Sequence, residues 1–178
     1  MTVEVLVALC AAVLSHSVAL AAFAGDSAIE AFSAAVVLWR FHTARAQAEA
    51  TAAKITGWLL VALAIVISAE SLYTLLGKGP KPQPSYLGIA LLLAAGLFMP
   101  WLGHRKRDLA SSANSASLRA DAAQSSVCAY MSWIALAGLL LNALAHTTWA
   151  DPVAAACLLP FILKEAKQAL TGHVCCEQ

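Results

Sequence analysis

The chain has 178 residues, of which 61% are hydrophobic and only 12% are charged, and its formal net charge is +1 at pH 7. This composition lies far outside that of a soluble globular domain and predicts an integral membrane protein, with the lipid bilayer as its surroundings. The few basic residues lie in short connecting segments without interleaved aromatic side chains, so we expect no nucleic-acid partner. A bilayer requires about 20 apolar residues per helical span, and the length therefore allows about six spans.

Apolar runs separated by polar breaks predict where these spans lie. We place them at residues 3–15, 18–41, 55–76, 87–102, 127–145 and 152–170. The first two runs are divided at Ser15-His16-Ser17, because the apolar stretch that they form is too long for one span. The segment from Gly77 to Pro84 contains three prolines and two glycines and cannot continue a helix. The sequence thus predicts an all-α, polytopic membrane protein, a bundle of six transmembrane helices.

The distribution of basic residues predicts the topology. Nine of the eleven Lys and Arg residues lie between spans two and three, between spans four and five, or at the end of span six. Lys78 and Lys81 are the two on the opposite side. By the positive-inside rule, we expect both termini in the cytoplasm, in a bacterial-type inner membrane or a plasma membrane. We interpret residues 1–172 as one transmembrane domain and residues 173–178 as a short cytoplasmic tail.

Two carboxylates in the second span require an explanation. A charged side chain at the centre of a bilayer costs about 2.5–3.5 kcal/mol even on the milder insertion scales. Asp26 and Glu30 are four residues apart, so they lie on one helix face a turn from each other. Because like charges this close repel, protons or a cation must neutralise them, as a proton-for-cation exchange site requires. The alternatives are hydrogen bonds between helices made by protonated carboxyls, and Asp26 as a helix cap at the membrane interface.

A polar stripe enters the fifth span. Asp121, Gln124, Ser125 and Cys128 occupy positions i, i+3, i+4 and i+7, and therefore share one helix face. Oxygen and sulfur groups on a single face suit ion coordination better than packing, which favours Gly, Ala and Ser. For Asp121 the alternative is a carboxylate in the first helical turn that complements the helix dipole. Asp151, which precedes Pro152, is interpreted as the N-cap of span six.

The sequence resembles the transmembrane domain of the cation diffusion facilitator (cation efflux) family. The stretch SVALAAFAGDSAIEAFSAAVVLWRF resembles the family's second helix, RADAAQSSVC the start of its fifth, and WADPVAAACLLPFILKEAKQAL its sixth. The resemblance implies a secondary transporter rather than an enzyme, without a bound cofactor and organised as a homodimer. It further implies that the chain exports zinc or related divalent metal ions in exchange for protons, through a mid-membrane site on helices 2 and 5.

The resemblance also implies a ligand set. Asp26 and Glu30 match the family's helix-2 ligands, and Gln124 and Cys128 stand where helix 5 usually has histidine or aspartate; Asp121 is a substitute for Gln124 on the same face. If Cys128 binds as a thiolate, soft ions such as zinc, cadmium or mercury are favoured over manganese or magnesium. If Gln124 binds poorly, the alternative is a non-transporting membrane metal-binding or scaffold protein of the same fold.

Overall fold

The computed structural model describes the backbone of residues 2–43, 46–112 and 116–171. Within these ranges, the side chains of residues 2, 33–34, 36–43, 46–53, 106, 110 and 116–124 lie outside the description. The described part forms six helices and no strand: α1 (Thr2–Ser15), α2 (Val18–Thr43), α3 (Ala46–Leu75), α4 (Tyr86–Ser112), α5 (Ala116–Ala145) and α6 (Ala150–Thr171). The predicted all-α bundle of six helices is confirmed.

The breaks between helices follow from local backbone conformation. His16, at the turn between α1 and α2, has φ 51°, and His146, directly after α5, has φ 52°. A residue in the left-handed region ends a helix, since the next residue cannot continue the hydrogen-bond ladder. Gly77 ends α3 in the same way with φ 71°, and the prolines that follow keep the chain extended. The predicted division at residues 15–17 is therefore confirmed.

Three helices are longer than predicted. α3 begins at Ala46 rather than at residue 55, α4 continues to Ser112 rather than to residue 102, and α5 begins at Ala116 rather than at residue 127. The added segments are polar but rich in Ala, Gln, Glu, Arg and Lys, which are good helix formers. Hydropathy marks the part of a helix that a bilayer can hold, whereas the helix itself continues into water.

Apolar surface covers much of the outside of the bundle. In the described part, three stretches are long and apolar enough to cross a membrane, namely Lys54–Leu75, Tyr86–Leu109 and Ser125–Ala145, and Val3–Ser15 is a shorter apolar helix. Leu6, Leu97 and Leu144 are more than 60% exposed. Lipid can cover such side chains, whereas water would not tolerate so many of them.

Helix α2 lies at the centre of the bundle. It contacts α1, α3, α5 and α6, while α4 packs along α5 and α3 packs along α6. Its first half is lined by small residues, and Ala19, Ala22 and Ala24 are completely buried. Small side chains let helix backbones approach closely in a membrane. Polar groups on this part of α2 are consequently enclosed by other helices.

Candidate metal centre

Three carboxylates from two helices meet inside the bundle. Asp26 and Glu30 of α2 and Glu165 of α6 each offer one oxygen, and these oxygens all lie within 4.8 Å of one another. Asp26 is 1% exposed and Glu165 is 6% exposed, while Glu30 is partly buried. We call these three residues the acidic cluster. Its members carry a formal charge of −3 when all are ionised.

Three oxygens of the acidic cluster, on Asp26 and Glu165, receive no hydrogen bond from an N–H or hydroxyl group of the described residues. They are Oδ1 of Asp26 and both carboxylate oxygens of Glu165, and all three are buried. A buried polar group without a partner costs about 1–3 kcal/mol, and a charged one costs more. Protons or a cation at the cluster would remove this penalty, so the cluster has the properties of a cation-binding site.

Glu165 was not predicted from the sequence as a site residue. It lies between exposed Lys164 and exposed Lys167, near the end of a span, where a charged residue is usually solvated. Helical periodicity is the signal that finds it, because Glu165 lies on the same face as Leu158 and Ile162, both completely buried. A carboxylate at a position of the apolar face is a candidate site residue, whatever its neighbours in sequence are.

A hydrogen-bond network holds α6 against the beginning of α2. The hydroxyl of Ser17 donates to Oδ1 of Asp151 over 2.5 Å, and the backbone N–H groups of Val18 and Ala19 donate to Oδ2 over 2.7 and 3.4 Å. The Ser17 hydroxyl also accepts from the N–H of Leu20. Asp151 thus caps α2, whereas the sequence predicted that it caps its own helix, α6. Its carboxylate accepts hydrogen bonds from N–H groups that the first turn of α2 leaves unpaired.

This anchor sets the depth at which the two helices bring their carboxylates together. Both α2 and α6 begin at the same end of the bundle and run in the same direction. At 1.5 Å per residue, Glu30 lies about 18 Å along α2 from Val18, and Glu165 lies about 21 Å along α6 from Asp151. The two depths agree to within one helical turn.

Close packing also fixes the position of α6. A Cβ atom added to Gly138 of α5 would lie 2.5 Å from Cβ of Ala154, and one added to Gly57 of α3 would lie 3.2 Å from the carbonyl oxygen of Ala166. These glycines allow α5 and α3 to approach the α6 backbone directly. Glu165, next to Ala166, is therefore carried by a helix that is packed on several sides.

Cys128 of α5 lies near the acidic cluster but outside it. Its side chain is 3% exposed and interacts electrostatically with Glu30, Asp26 and Glu165. Gly138 of α5 packs against Ala154 of α6, and from this contact Cys128 lies about 15 Å along α5 and Glu165 about 17 Å along α6, so the two residues are at similar depths. Its sulfur atom is not among the ligand atoms that lie within 4.8 Å of one another, and its role as a metal ligand stays a prediction.

Two further residues of α5 were predicted as metal ligands. Gln124 and Asp121 belong to the backbone of α5, but their side chains lie outside the described residues. The same holds for the tail at residues 173–178. Asp26 and Glu30 share one face of α2, as their spacing requires, and they meet a further carboxylate there. Their role as ligands is likewise a prediction.

Comparison with known proteins relates the chain to a protein family. The family model of the cation efflux transmembrane domain matches residues 2–170, nearly the whole chain. No curated protein matches the chain in sequence. The match covers all six helices, including the segments of α2 and α6 that carry the acidic cluster.

Proposed function

The chain belongs to the cation efflux family, whose members transport metal cations across membranes, and we propose that it is a proton-coupled secondary transporter of divalent transition-metal ions. The observation that carries this proposal is the acidic cluster, in which Asp26, Glu30 and Glu165 bring three carboxylate oxygens within 4.8 Å of one another inside the bundle. The substrate proposed is zinc or a chemically related ion. It is a cargo of the protein, which requires no bound cofactor.

Charge balance supports proton coupling. Three ionised carboxylates within 4.8 Å of one another repel strongly in a low-dielectric interior, so the cluster is stable when it holds either a cation or protons. A divalent ion that binds must displace protons, and its release lets protons return. The metal-loaded form and the proton-loaded form can carry their ions across the membrane in opposite directions, as an antiporter does.

Access to the cluster must alternate between the two sides of the membrane. We propose that this occurs by rocking of the helices around α2, the helix that contacts four of the other five. With both termini in the cytoplasm, Asp151 and the beginnings of α2 and α6 face the outside, and export is the proposed direction. The proposed assembly is a homodimer, by analogy with the family.

The predicted contribution of α5 bears on the choice of metal. Cys128 is close enough to the acidic cluster to interact with it electrostatically, and we propose it as a further ligand, with Gln124 or Asp121 completing the set. Carboxylates bind zinc and manganese alike, whereas a thiolate shifts preference toward zinc, cadmium or mercury. The proposed substrates are therefore zinc first and softer ions second.

A second candidate function is a membrane metal-binding or scaffold protein without turnover. The position of Cys128 outside the acidic cluster favours it, because Cys128 is one of the two α5 ligands that the resemblance implies. Such a protein would bind metal stoichiometrically and would transport none.

Flux measurement distinguishes the two functions. The purified full chain is reconstituted into liposomes that contain a zinc-sensitive fluorophore, and zinc is added outside. We expect saturable zinc entry that is faster when the lumen is more acidic than the outside, because protons then leave as zinc enters. Stoichiometric zinc binding without entry would identify the second candidate. Entry that does not saturate and ignores the pH gradient would indicate a channel and contradict the proposal.

A further inference from the structure

We propose that Glu165 is a ligand of the transported cation, so that the binding site is formed between α2 and α6 and is completed by a carboxylate from α6. This inference rests on the proposed function and specifies its site. The sequence resemblance implied ligands from α2 and α5. The geometry adds α6, the helix that begins beside α2 and runs in the same direction.

The first support is the distance between the oxygens. Two oxygens bound to one tetrahedral zinc ion at about 2.1 Å are about 3.4 Å apart. The oxygens of Asp26, Glu30 and Glu165 already lie within 4.8 Å of one another. Binding a cation therefore requires each side chain to move by about 1 Å, which a change in side-chain torsion supplies without a shift of either helix.

The second support is independent of the distances. Glu165 is 6% exposed, and neither of its carboxylate oxygens accepts a hydrogen bond from a described residue. The group that Glu165 faces is the carboxyl of Asp26, itself an acid, so the two are stable together only with a proton or a cation between them. Oδ1 of Asp26 is buried and lacks a donor in the same way. Two buried acidic groups from different helices at one point form a site that a bound cation would stabilise.

The negative charge of Glu165 explains why α6 would contribute a ligand. Where the resemblance implies two helix-5 ligands, this chain has Gln124, which is neutral, and Cys128, which lies outside the acidic cluster. Glu165 restores a negative charge at the level of Glu30. A site of three carboxylates binds oxygen-preferring ions, so the inference adds manganese to zinc among the divalent cations that the site accepts.

Binding to the purified full chain in detergent tests the inference. Zinc and manganese are titrated by calorimetry into the wild type, Glu165→Gln, Asp26→Asn and the control Glu70→Gln, which changes an exposed carboxylate on α3. We expect Glu165→Gln and Asp26→Asn each to raise Kd for both ions at least tenfold, and Glu70→Gln to change it less than twofold.

A variant that gains preference for cadmium over manganese provides a second test that does not depend on loss of binding. Glu165→Cys replaces an oxygen ligand with a sulfur ligand, and soft ligands favour soft ions. If Glu165 is a ligand, this variant should bind cadmium more tightly relative to manganese than the wild type does, by at least tenfold. Glu70→Cys is the control for cadmium bound by the new thiol alone, and it should raise the ratio much less than Glu165→Cys does.

The outcomes separate this inference from the proposal on which it rests. Unchanged affinities in Glu165→Gln, together with loss of binding in Asp26→Asn, would overturn the role of Glu165 and leave the transporter intact. An unchanged ratio of cadmium to manganese affinity in Glu165→Cys would also overturn it. A wild type that binds neither zinc nor manganese would contradict the proposed function itself.

Discussion

The hydroxyl of Ser17, at the beginning of α2, donates a 2.5 Å hydrogen bond to the carboxylate of Asp151, at the beginning of α6. The two residues are 134 positions apart in sequence, and both are almost completely buried. The same carboxylate accepts the backbone N–H of Val18. This contact aligns two helices that run in the same direction, and it places Glu30 and Glu165 at similar depths.

We expect the Ser17–Asp151 contact to contribute measurably to stability. Asp151→Asn removes a charge that accepts several hydrogen bonds, and Ser17→Ala removes one donor, so each should lower the free energy of unfolding by about 1–3 kcal/mol. The two residues share one network, and the double variant should lose about 1 kcal/mol less than the sum of the single losses. Thermal or denaturant unfolding in detergent measures these differences. Strictly additive losses would show that the contact is not formed.

Close packing of α5 on α6 predicts a steric effect at Gly138. Gly138→Ala places a methyl group 2.5 Å from Cβ of Ala154, which cannot rotate away, so the two helices must separate. We expect a loss of about 1–3 kcal/mol in stability, as overpacking usually causes. The matched control is Ala137→Leu, a larger change at the neighbouring exposed position, which should have little effect in lipid or detergent. If Gly138→Ala and Ala137→Leu have the same free energy of unfolding, this packing is contradicted.

Substitution of Cys128 tests whether α5 contributes a ligand. Cys128→Asp replaces a soft ligand by a hard one at a buried position beside the acidic cluster. If the thiolate binds the ion, the ratio of cadmium affinity to manganese affinity should fall at least tenfold in calorimetric titration. Cys157→Ser, a change at an exposed cysteine on α6, should leave the ratio as it is. An unchanged ratio in Cys128→Asp would exclude Cys128 from the ligand set.

Much of the fold followed from the sequence because a bilayer imposes simple rules. Apolar runs separated by polar breaks predicted six helices, and the weak polar break at His16 was sufficient to separate α1 from α2. The predicted positions of helix ends outside the bilayer were less accurate, as for the helices that begin at Ala46 and Ala116. Hydropathy does not detect a helix that continues into water.

The candidate site was only partly predictable for a different reason. Asp26 and Glu30 are identified by their spacing within one helix, which depends on local geometry alone. Glu165 joins them only through the way α6 packs beside α2, and its neighbours Lys164 and Lys167 made it resemble a solvated charge. The partner of Asp151 was missed for the same reason, since its contact with Ser17 connects opposite ends of the chain.

The most direct test of the central claim is zinc flux through the α2 carboxylates. Liposomes that contain the wild type, the double variant Asp26→Asn with Glu30→Gln, or the control Glu70→Gln are compared at equal protein content, with the lumen more acidic than the outside. We expect the double variant to lose at least nine-tenths of the zinc entry, because no carboxylate of α2 remains to bind the ion, and Glu70→Gln to retain it. Zinc entry in the double variant at the wild-type rate would contradict transport through the acidic cluster.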